Sequence, residues 1–68
     1  MSAGRVKWFN PQSGYGFIQP EEGSKDVFVH ITAVARAGLS GLDGGQNVSF
    51  DVEPGEQGKM SATNLRAA

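Results

Sequence analysis

The chain's 68 residues carry a formal charge of −1 at neutral pH, ten glycines and no cysteine. A chain this short encloses one small core and holds roughly 3–5 kcal/mol of stability; without cysteine it has neither a disulfide framework nor a thiolate metal site. The charge balance excludes the broad basic footprint of a duplex-binding protein, and no apolar run has the length of a spanning helix or signal-peptide core, so the chain reads as soluble and cytoplasmic.

Turn chemistry divides the chain into five short strands with no linker or repeat between them. The first is expected over Arg5–Asn10 and ends at Asn10-Pro11-Gln12-Ser13-Gly14. The second, Tyr15–Gln19, runs into Pro20-Glu21-Glu22-Gly23-Ser24. The third covers Val27–Ile31, and Thr32 to Gly38 then has room for about one helical turn, with Thr32 as N-cap and Gly38 as terminator. After Asp43-Gly44-Gly45 comes a fourth strand, Asn47–Glu53, and after Pro54-Gly55-Glu56-Gln57-Gly58 a fifth, Met60–Leu65. Five closely spaced antiparallel strands fit a small all-β barrel, which also removes exposed edges.

Five of the six aromatic residues and the single histidine fall between Trp8 and His30. Successive side chains of a strand point to opposite faces, so Tyr15 and Phe17 lie on one side and Ile18 on the other, while Phe28 and His30 separate from Val27 and Val29. Pairing the two strands leaves two choices: the rings form the core, or the aliphatics do. The segment Asn47–Glu53 alternates cleanly and offers Val48, Phe50 and Val52. With Val6, Ile18, Val27, Val29, Val34 and Leu65 these already make a core of the size a short chain can enclose. Tyr15, Phe17, Phe28 and His30 are then expected outside as one exposed patch, suited to stacking on nucleobases. Strict alternation places Trp8 on the face of Val6, inside. Lys7 stands beside Trp8, Lys25 precedes the second ring run and Lys59 the last strand, so a few cations border the rings.

The runs Gly4-Arg5-Val6-Lys7-Trp8-Phe9-Asn10, Gly14-Tyr15-Gly16-Phe17-Ile18 and Asp26-Val27-Phe28-Val29-His30 resemble the bacterial cold-shock proteins, and the likeness continues through Leu42–Phe50 to Ala62-Thr63-Asn64-Leu65. It implies one cold-shock domain over residues 1–68, a five-stranded antiparallel barrel of OB-fold type that binds single-stranded RNA and DNA. Members act as RNA chaperones, transcription antiterminators and cold-adaptation factors. Carried over by position, the resemblance assigns Trp8, Tyr15, Phe17, Phe28 and His30 to the stacking surface, with Lys7, Asn10 and Asp26 as polar contacts at its border. It also turns Trp8 outward, through a bulge in the first strand. The chain departs from the family pattern in places. Ser13 stands where lysine is common, Ile31 and Leu39 where many members have phenylalanine, and Tyr15 in place of a usual phenylalanine. Lys59 replaces a common proline and adds charge to the final loop. A working but somewhat weaker site is expected, on a monomer.

Enzymatic readings find little support. His30 has no cysteine or repeated carboxylate spacing around it, one histidine cannot supply a structural zinc site, and Gly14-Tyr15-Gly16 lacks the ending of a phosphate loop. Neither a cofactor nor a small-molecule substrate is expected. The rival from another class is a barrel that grips an extended, proline-rich peptide with the same rings.

Overall fold

The computed structural model describes residues 2–23, 25–55 and 59–67. The elements run β1 (Ser2–Asn10), β2 (Tyr15–Pro20), β3 (Val27–His30), α1 (Ile31–Arg36), β4 (Asn47–Pro54) and β5 (Met60–Ala67). The strands close into a barrel in the order β1-β2-β3-β5-β4. The pairings are antiparallel except β3 with β5, which meet in parallel at Phe28 and Ser61. A ring with an odd number of strands cannot alternate direction all the way round, so one parallel pairing is a condition of closure. The strands match the expected segments and extend beyond several of them: β1 begins at Ser2 and β5 runs on to Ala67, while Ile31 leaves the third strand to open the helix.

Local chemistry fixes the connections. Gly14, at φ +83°, closes the turn after β1 and donates its N–H to the Asn10 carbonyl at 2.9 Å. Gly23, also at positive φ, donates to the carbonyl of Pro20 at 3.1 Å. The remainder of that expected turn at Ser24, and Glu56, Gln57 and Gly58 of the last one, lie outside the described residues. The helix corrects one expectation. Its N-cap is His30 rather than Thr32: the Thr32 N–H donates to Nδ1 of the imidazole at 3.2 Å. An unprotonated ring nitrogen accepts this bond as a hydroxyl does, which moves the start of the helix to Ile31. At the other end Gly38 adopts φ +77°, and the bonds from Gly38 N–H to Ala35 and from Leu39 N–H to Val34 complete a Schellman motif.

The core comprises Val6, Ile18, Val27, Val29, Val34, Leu42, Val48, Phe50, Ala62 and Leu65. The aliphatic faces of β2 and β3 point inward, so the barrel is filled without the ring runs. Val52, expected among these residues, is only half-buried, and Leu42 and Ala62 take the remaining space. Leu42 comes from the loop before β4, where no periodicity marks an inward residue.

Candidate nucleic-acid interface

Two cross-strand rows build the outer face of β1, β2 and β3. Trp8 stands opposite Phe17, and Phe17 opposite Phe28; in the next row Asn10 faces Tyr15, and Tyr15 faces His30. The ladder slips between Val6 and Trp8: Val6 pairs with Ile18 and Trp8 with Phe17, leaving Lys7 without an opposite residue. This bulge undoes the parity that would have buried Trp8. Val6 is fully buried and Trp8 is 43% exposed.

Gly16 makes the approach of β1 possible. A side chain there would run into the Trp8 carbonyl oxygen and come within 2.8 Å of Phe9 Cα. The backbone of the bulge therefore rests where a Cβ would be, next to the rings it positions.

The rings form one continuous surface. Trp8 lies 5.5 Å from Tyr15 and 5.4 Å from Phe17 between ring centres, both edge to face. Phe28 stacks on Tyr15 at 5.6 Å and meets Phe17 edge-on at 5.9 Å. His30 continues the surface 6.2 Å beyond Phe28. Tyr15, Phe17 and Phe28 are half-buried by one another, while His30 is exposed. Mutual contact holds each ring in place before any ligand arrives, so stacking a flat partner costs little side-chain entropy.

The polar residues assigned from sequence occupy the border in three different ways. Lys7 Nζ donates to Asp26 Oδ2 at 3.0 Å, and both side chains are substantially exposed. An exposed pair of this kind contributes about 0–1 kcal/mol; its effect is to place a cation and an acceptor together at the edge of the rings. Asn10 Oδ1 accepts from the N–H groups of Gln12 and Ser13, at 2.9 and 3.3 Å, and so holds the turn that leads into Tyr15. Lys59 lies across a groove of about 640 Å³ that it lines with Phe17, Phe28, Lys25 and Met60. Sequence reasoning passed over Met60, which is 43% exposed. Its signal was available: a large apolar residue at the mouth of the fifth strand, outside the residues needed for the core.

Comparison with known proteins adds a family to this geometry. The model of the 'cold-shock' DNA-binding domain matches residues 2–68. A probable cold shock protein of Sinorhizobium fredii, y4cH, is 59% identical over 68 residues, covering 98% of this chain and 99% of its own. Cold shock protein CspA of Rhizobium meliloti is 56% identical over 69 residues and the full length of both chains. Cold shock-like protein CspC of Shigella flexneri is 52% identical over 64 residues, 94% of this chain and 91% of its own.

Proposed function

The chain belongs to the cold-shock domain family of nucleic-acid-binding, non-enzymatic proteins, and from that premise we propose that it binds single-stranded RNA and DNA by stacking bases on Trp8, Tyr15, Phe17, Phe28 and His30. The observation that carries this reading is the outward-facing row Trp8–Phe17–Phe28 on a barrel whose core is complete without it. An aromatic surface of that extent is unneeded for folding, and unpaired bases are flat, apolar-faced partners for it. Lys7, Asn10, Asp26 and Lys59 border the bases and backbone.

Stacking is worth about 1–3 kcal/mol per base, so three or four bases supply roughly 4–8 kcal/mol after allowing for non-additivity. The upper end of that range alone corresponds to a dissociation constant of about 1 μM, and the phosphate contacts at the border carry binding from micromolar toward high nanomolar. About two phosphates are neutralised in the ring site itself, giving a salt slope near −1.4 for a short oligonucleotide. A monomer that captures unpaired strands shifts RNA toward open states by mass action, without ATP. In the cytoplasm this is RNA-chaperone activity, and when the strand captured is half of a terminator hairpin it is antitermination.

Titration of Trp8 fluorescence with an oligothymidine of about seven nucleotides tests the proposal, with duplex DNA of matched length as the control. Saturable quenching by the single strand and little response to the duplex is expected. A folded protein that ignores the single strand at high micromolar concentration would overturn the reading and bring peptide recognition forward.

A further inference from the structure

Beyond His30 the outer surface does not end. A second groove, of about 570 Å³, runs between α1 and β5, and His30 lines it as well as closing the ring surface at Phe28. Its lining includes Arg36 and Arg66 together with Thr32, Thr63 and Asn64. The imidazole is held at this corner by its bond with the Thr32 N–H, so one residue serves as the last ring of the surface and the first turn of the groove's wall.

The groove's shape is set by a second irregularity of the barrel. Opposite β4 the ladder jumps from the Ser49–Arg66 pair to Asp51–Thr63, leaving Asn64 and Leu65 to face Phe50. Asn64 takes φ +49°, the one described non-glycine residue at positive φ. Leu65 thereby turns inward while Thr63, Asn64 and Arg66 stay outside. Asn64 Nδ2 donates to Asp51 Oδ2 at 2.9 Å, engaging the single carboxylate in the groove's lining.

The cations here differ in kind from those at the other end of the rings: there the lysines Lys25 and Lys59 stand with Glu22 and with Asp26, which Lys7 already pairs, whereas here two arginines, Arg36 and Arg66, stand with Asp51 in the lining. The groove offers no aromatic ring besides His30 among its lining residues, so it does not continue the stacking surface. Guanidinium forks, hydroxyls and an amide over an apolar floor are groups that accept a sugar–phosphate backbone.

We infer that the α1–β5 groove is a second nucleic-acid site, which takes the phosphate backbone of the same single strand as it leaves the ring surface past His30, with Arg36 and Arg66 as the phosphate contacts. The inference rests on the stacking function proposed above. It makes binding polar in the strand sense, since the groove lies at one end of the rings only. It also adds two arginines to the lysines that border the ring site.

The test uses a thymidine heptamer carrying about four abasic nucleotides at either its 5′ or its 3′ end. An abasic tail adds phosphates without adding stacking registers, so length statistics do not inflate the result. One of the two tailed oligonucleotides is expected to bind about three- to ten-fold more tightly than the plain heptamer, with a salt slope steeper by about 1 to 1.4. In the Arg36→Gln/Arg66→Gln double variant that gain disappears, while heptamer affinity stays within about two-fold of the parent and so reports an intact fold. A gain from neither tail, an equal gain from both, or a gain that survives the double variant would each overturn the inference. Failure of the plain heptamer to bind the parent protein would instead overturn the stacking reading, and this inference with it.

Discussion

The barrel contains two bulges, and they do opposite things with the same device. In β1 the extra residue is Lys7, and the reversal of parity brings an indole out onto the ring surface. In β5 the extra residue lies at Asn64, where the reversal takes Leu65 in and leaves a run of polar groups facing outward. One bulge is held by the absence of a side chain, at Gly16 across the ladder. The other is held by the presence of one, the Asn64 amide on Asp51. Each sits at the edge of a surface that a ligand is proposed to occupy, so the two places where the ladder gives up regular pairing are the places where side chains are re-aimed for binding.

Substitutions that remove each support separate these two modes. The largest effect belongs to Gly16→Ala, because the new methyl meets backbone atoms that have no flexible end to swing away. A loss of about 2–4 kcal/mol is expected, enough to leave a domain of this size largely unfolded, as a urea titration will report. Near-parental stability would mean that β1 can shift without harm, and the account of the Trp8 bulge would fail. Next in size is Phe17→Ala with Phe28→Ala. Both rings lie outside the core, so the circular dichroism spectrum is expected to stay native, while removal of two stacked bases lowers oligothymidine affinity by roughly 100-fold or more. Melting of a marginal RNA hairpin should be lost with it. Retained affinity would move the site away from the rings.

These contrasts also mark where sequence reasoning held and where it lost contact with the fold. Alternation located the inward faces of β2 and β3 because every residue there has a partner across the ladder. At Val6-Lys7-Trp8 it pointed the wrong way, since nothing in those three residues announces an unpaired position; only the family resemblance turned Trp8 outward. In β5 it was not applied: Leu65 was expected in the core and lies there, while Ala62 was not among the expected core residues. Ala62 and Leu65 are both buried at a spacing of three, which no uninterrupted strand allows. The N-cap was missed for a different reason: residue preference favours threonine, and a histidine nitrogen in the right geometry satisfies the same N–H. Lys7 and Asp26 were each legible as border residues, but their ion pair, across 19 positions of sequence, was not.

The smaller predictions concern the second bulge. Asn64→Ala places a β-carbon in the left-handed region without the local hydrogen bond, which costs about 1 kcal/mol for the backbone alone. Asn64→Gly keeps the conformation and removes only the amide, so it is expected to be the milder change. Urea midpoints at neutral pH rank the two, and equal losses would show that backbone conformation contributes nothing at this position.

Acid titration divides the same effect by cause. The Asn64 hydrogen bond is the largest of the influences that hold the Asp51 carboxyl below its ordinary value of 3.8, outweighing the opposing desolvation, and the charge of Arg66 is the smallest. A carboxyl lowered in the folded state stabilises the fold above its unfolded pKa, and that contribution is lost as the pH falls through the lower, folded value. The gap in urea midpoint between the parent and Asn64→Gly is therefore expected to be constant above about pH 5 and to close as the pH drops below about 4. For Asn64→Ala the gap narrows over the same window without closing, because the cost of its backbone conformation does not titrate. A gap that stays constant for both variants down to pH 2 would show that the Asp51 charge plays no part in holding the bulge, and that the conformation of Asn64 alone keeps Leu65 in the core and Thr63 and Arg66 on the groove.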